Sequence, residues 1–97
     1  MIRISPKAEE DLEQIYEYTA DRWGLSQAEK YQDLLFDAFT RISSHNLIGK
    51  AFKTTAYDYR QVHIGRHLIF YRYDVEYIIV VRVLHDKMDI AKHVDDR

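Results

Sequence analysis

The chain has 97 residues, 46% apolar and 31% charged, with a net charge of −2, which suits one soluble domain, residues 1–97, around one modest core. It contains no cysteine, so disulfides, thiolate metal sites and cysteine nucleophiles are excluded together. No apolar run approaches the ~20 residues of a membrane span, and the amino terminus MIRISPKAEEDL turns acidic at once without an apolar h-region, which points to the cytoplasm. Residues 1–48 hold 5 Lys/Arg against 9 Asp/Glu, while 49–97 hold 9 against 7. The second half is mildly basic, too weakly so to indicate direct nucleic-acid binding.

Met1 to Ile4 alternates around Arg3 and reads as a short strand. Ser5-Pro6 opens a helix, serine as the cap and proline in the first turn, with Glu9, Glu10 and Asp11 near the positive end of its dipole. Ala8, Leu12, Ile15, Tyr16, Thr19 and Trp23 recur at spacings of three and four as an apolar stripe, and Glu13, Glu17 and Asp21 form an acidic face that reads as solvated. Gly24 ends the helix as a left-handed residue would. Ser26-Gln27-Ala28-Glu29 has the form of a capping box for a second helix, whose inward stripe is Tyr31, Leu34, Leu35, Ala38, Phe39 and Ile42. So short a connection makes an antiparallel hairpin. Leu47 to Asp58 lacks a period and reads as a loop.

Val62–Ile64, Leu68–Tyr73 and Tyr77–Leu84, rich in β-branched and aromatic residues and broken by Gly65 and Asp74–Glu76, read as a three-stranded antiparallel meander. The unbroken runs Leu68-Ile69-Phe70-Tyr71 and Ile78-Ile79-Val80-Val81 imply cover on both faces. The segment Asp86 to Arg97 suits a short helical turn. The expected fold is therefore α+β, in the order β-α-α-β-β-β, with the hairpin on one sheet face and the other face partly apolar and open to a partner.

Arg60, His67, Arg72, Arg82 and His85 interrupt the apolar strands, and a charged group there must reach solvent or a partner. An RNA-cleaving site needs a base, an acid and a cation, for which His85, Tyr71 and Arg60 are of suitable type. Arg82 and His85 have opposite parity and face opposite sides unless a bulge intervenes. The plainer alternative is that the arginines pair with Asp or Glu at the sheet rim. His63-x-x-x-His67 is broken by Gly65 and has no carboxylate at a useful offset, so no metal site is expected. No glycine-rich phosphate loop or serine elbow is present, and no cofactor is implied.

Four stretches carry a resemblance: Ser5-Pro6-x-Ala8-x-x-Asp11-Leu12, YTADRWG at Tyr18–Gly24, GRHLIFYR at Gly65–Arg72, and Arg82-Val83-Leu84-His85-x-x-Met88-Asp89. In that order, over nearly the whole chain, they resemble the ParE toxins of the RelE/ParE superfamily of bacterial toxin–antitoxin modules. The resemblance implies a small α+β toxin, a cognate ParD-like antitoxin that folds onto it, and growth arrest through binding of DNA gyrase. It supplies Arg60, His67, Tyr71, Arg82, His85, Met88 and Asp89 as candidates for contact with target or antitoxin. The RelE branch, which cleaves ribosome-bound messenger RNA, is the alternative. Arg60, Arg82 and His85 match its arginines and histidine, and with Tyr71 would form its catalytic set, but the tyrosine expected after the last strand is replaced by Asp86-Lys87-Met88-Asp89. A third reading is a non-toxic module acting only with its antitoxin on operator DNA.

Overall fold

The computed structural model describes residues 1–53 and 57–88. Its elements are β1 (Ile2–Ile4), α1 (Pro6–Trp23), α2 (Leu25–Ser43), β2 (Lys50–Lys53), β3 (Asp58–Ile64), β4 (His67–Tyr73) and β5 (Ile78–His85). The strands form one sheet in the order β1-β5-β4-β3-β2. β2 to β5 are antiparallel neighbours, and β1 joins β5 in parallel, Ile2 opposite Ile78 and Ile4 opposite Val80. The sheet is therefore mixed, with the expected meander at its centre.

Ser5 caps α1 as its sequence dictates, its Oγ accepting from Ala8 N at 3.1 Å. The same hydroxyl donates to Val81 O at 2.8 Å, which fixes the start of the helix to β5. Gly24 closes α1 with φ 94° and ψ 164°, its N–H on Ala20 O, while its carbonyl accepts from Ala28 N. One glycine thus ends one helix and opens the next. The Ser26–Glu29 capping box does not form, because α2 already starts at Leu25 with Gly24 as its cap.

The core between hairpin and sheet is made by Ala8, Leu35, Ala38, Phe39 and Ile42 against Val62, Ile69, Tyr71, Ile78, Val80 and Val83. Small residues at 8 and 38 let the helices approach closely, and each large side chain withdrawn from water contributes ~1.5–3 kcal/mol. Both apolar stripes are narrower than read. Trp23 is 70% exposed and Leu34 is exposed as well, since each lies past the edge of the sheet contact.

The segment read as a loop contains a strand. Lys50-Ala51-Phe52-Lys53 pairs with Asp58 to Gln61, so β3 begins four residues before Val62. The far face of the sheet carries a second buried cluster of Tyr59, Phe70, Val81 and Leu84, flanked by Phe52, Leu68 and Ile79. Cover on both faces is thus observed. Among the described residues no open apolar landing surface is seen at the centre of that side, because Tyr59 and Phe70 there are already out of solvent. The helical turn expected over Asp86–Arg97 falls, beyond a turn at Asp86–Met88, outside the described residues, as does Asp89.

Candidate functional site

β1 accompanies β5 only as far as Val80, so the outer edge of β5 runs on past it. α1 takes over that edge with a carboxylate. Asp11 accepts from the backbone N–H of Val83 at 3.0 Å, from Arg82 Nε at 2.8 Å and from an Arg82 terminal nitrogen at 2.9 Å. The two side chains are only 9% and 11% exposed. The hydrogen bonds to Asp11 raise the Arg82 pKa, against the opposing effect of burial. This is the rim pairing that the sequence offered as the plainer alternative.

A β-bulge settles the parity question. Phe70 lies opposite Arg82 while Tyr71 lies opposite Val80, so Val81 is an extra residue in β5. Past the bulge Val83 and His85 face the helices, and Arg82 turns to the edge. Arg82 and His85 consequently line one groove of about 930 Å³ between α1, the start of α2 and the end of the sheet. α1 contributes Ile15, Tyr18 and Trp23 to it, and Met88 stands on the other side. Tyr18 is 59% exposed, with the Arg22 guanidinium 5.2 Å from its ring centre.

The deep end of the groove is organised by Tyr31 of α2. Its hydroxyl accepts from Arg66 N at 3.1 Å and is bonded to His67 Nδ1. Burial raises the Tyr31 pKa, the Arg66 N–H opposing it and Asp86 adding to it. Gly65 makes the contact possible: its φ is +59°, and a Cβ there would lie 2.7 Å from the Tyr31 hydroxyl. Burial, and next the neighbouring His85, lower the His67 pKa to about 4. His67 is thus neutral at neutral pH, and its Nδ1 shares a hydrogen bond with the Tyr31 hydroxyl, which also reaches the Ile64 carbonyl at 3.4 Å. The rings of His67 and His85 meet edge to face at 5.4 Å. His85 Nδ1 accepts from Lys87 N at 3.2 Å and lies 3.4 Å from Asp86, whose other oxygen is 3.0 Å from His63 Nε2.

His63 and His67 do not converge. His63 pairs with Leu68 on the far face and His67 with Ile64 on the helix face. Among the described residues no group of three His, Cys, Asp or Glu is arranged to hold a metal ion.

Arg60 and Tyr71 are placed elsewhere. They are cross-strand partners, and between them hold both backbone groups of Gly49: Tyr71 Oη accepts its N–H at 2.8 Å, and Arg60 donates to its carbonyl at 2.8 Å. Tyr71 is 0% exposed, and burial raises its pKa. The residues proposed for a nuclease are therefore split between the Gly49 clasp and the groove.

Sequence reasoning did not single out Asp11 or Tyr31 for the site, nor Tyr18 and Trp23 as groove walls. For Asp11 a signal existed: it stands three residues after Ala8 and four before Ile15, an acid at helical spacing inside an apolar stripe.

A family model described as the ParE toxin of the type II toxin–antitoxin system parDE matches residues 2–90. The chain is 41% identical over 92 residues to Toxin ParE1 of Mycobacterium tuberculosis, covering 94% of both. It is 34% identical over 92 residues to Toxin ParE1 of Caulobacter vibrioides, covering 95% of both. Among solved structures it superposes on a chain of the chromosomal ParDE system from P. aeruginosa with a TM-score of 0.75 at 16% identity, covering 87% of this chain and 92% of that one, a likeness of fold. The family match spans β1 to β5 with every groove-lining residue, and with it the chain belongs to the ParE toxins of type II toxin–antitoxin systems.

Proposed function

We propose that this one-domain toxin acts in the cytoplasm by binding DNA gyrase rather than by cleaving RNA, and that a ParD-like antitoxin neutralises it by folding along the groove of Tyr18, Trp23 and Met88. The observation that carries the choice of binding over bond-breaking is the Asp11–Arg82 fork. A guanidinium held on two nitrogens by a buried carboxylate is already neutralised, and it is poorly placed to take up charge developing on a phosphate. Arg60 and Tyr71 are engaged with Gly49, and His67 is neutral. In favour of a protein ligand, the groove walls carry exposed aromatic and thioether surface with Arg22 and Arg66 at hand. That chemistry suits an acidic segment with apolar anchors that orders on binding. Of the candidate contact residues, His67, Arg82, His85 and Met88 lie in this groove, whereas Arg60 and Tyr71 hold Gly49 outside it.

The test is supercoiling by purified gyrase with antitoxin-free protein. Supercoiling should fall and cleavage complexes rise, and unchanged levels at stoichiometric excess refute the target. Transcripts in a translation extract dosed with the protein should stay intact; cutting that is lost on His85→Ala would establish the nuclease reading instead. Induced expression without growth arrest would favour the non-toxic module. Trp23→Ala with Met88→Ala should weaken the antitoxin complex by about 1–3 kcal/mol without unfolding the toxin.

A further inference from the structure

We propose that the flank of the hairpin facing away from this groove is a second docking surface, and that its occupant is a basic amphipathic helix of another protein. The proposal stands on this flank alone and does not depend on what fills the first groove. α1 presents two different sides. Asp11, Ile15 and Tyr18 line the groove described above, whereas Leu12 and Tyr16 form, with Phe36 of α2, the floor of a trough of about 790 Å³ along the hairpin. Leu12 and Tyr16 are half-buried and Phe36 is exposed, so the floor is apolar and uncovered.

Its walls are acidic on both sides. Glu9, Glu13 and Glu17 follow one another at four-residue intervals along α1, and Glu29 and Asp33 repeat that interval on α2. No lysine or arginine lines the trough among the described residues, and none of the five carboxylates takes part in an ion pair there. Like charges at that spacing destabilise a helix. A face meant only for solvent would gain from interspersed lysines, as Arg22 and Lys30 show elsewhere on the same helices. An apolar floor between two uncompensated acidic walls instead matches a helix whose apolar stripe is flanked by cations. Glu9 to Glu17 spans about 12 Å at 1.5 Å per residue, so two to three turns fill it, the incoming ridge lying in the groove between two antiparallel helices.

The experiment uses the full chain, labelled with nitrogen-15, and a synthetic helical peptide of leucine and lysine with its leucines in one stripe. Binding should move the amide signals of Leu12, Tyr16 and Phe36, weaken with added salt, and fall about tenfold in the Glu13→Gln, Glu17→Gln, Asp33→Asn variant, three rim charges being worth that much together. These positions are exposed, so the variant keeps its fold. A scrambled peptide of equal charge that binds as well would reduce the effect to diffuse attraction and overturn the proposal. So would shifts centred on Trp23 and His85, or the same shifts on raising protein concentration without peptide, which would make a second copy the occupant.

Discussion

Replacing Asp11 with alanine is the most demanding test of the groove. The substitution removes three hydrogen bonds at once, two from Arg82 and one from Val83 N, in a place where both charged side chains are about nine-tenths withdrawn from water. Removing one partner of a buried pair costs about 3–5 kcal/mol, because the remaining charge is left uncompensated. A chain of this size is stable by about 5–15 kcal/mol in total, so the variant should lose about a fifth or more of its stability. Since 1 kcal/mol moves the midpoint of a small domain by about 4–8 °C, Tm should fall by more than ~12 °C. Urea unfolding followed by far-UV circular dichroism measures the loss, with an unchanged m-value as the sign that the same structure unfolds. Asp11→Asn keeps an acceptor for Val83 N and should fall between. Asp11→Leu with Arg82→Met should recover most of the loss but leave Val83 N unsatisfied, a residual of about 1–3 kcal/mol. A loss below ~1 kcal/mol for the alanine variant is the value of an exposed ion pair and would refute the account of this edge.

His67 makes stability pH-dependent. An ordinary imidazole near 6.5 takes up its proton in the unfolded chain, while the folded ring refuses it until about 4. Its contribution is therefore complete above the unfolded value and drains as the pH falls through that window. His67→Gln should flatten the slope between these limits, and an unchanged slope in denaturant titrations would assign the effect to another group. Gly65→Ala should cost about 1–2 kcal/mol from its left-handed φ plus a clash with the Tyr31 hydroxyl. Combining it with Tyr31→Phe should cost less than the two singles added, and strict additivity in a double-mutant cycle would show that the two do not touch.

Where a residue's neighbours in sequence set its conformation, the sequence was readable. Ser5-Pro6, Gly24 and the β-branched runs fixed the ends of α1 and the three central strands to within a few residues. β2 escaped because Lys50-Ala51-Phe52-Lys53 has no alternation to detect: it is an edge strand held by pairing with Asp58 to Gln61 rather than by its own pattern. The capping box failed for a similar reason, Gly24 having already supplied the carbonyl that Ala28 needs. The site was half legible. Strand position drew attention to Arg82 and His85, but Asp11 lies 71 residues before its partner. No local rule could choose between a dipole acid at a helix start and a buried counter-ion.

The extra residue at Val81 has a consequence for anyone redesigning or comparing this strand. It divides Ile78–His85 into two stretches that are out of phase, so that even positions look inward before it and odd positions after it. A ladder that ran regularly through Val81 would keep even positions inward throughout, send Val83 and His85 to the far face and bring Leu84 to the helix side, exchanging the lining of the groove for part of the opposite core. The protein thus keeps its groove wall and its hydrophobic interior on one continuous strand through a single irregular step in the ladder.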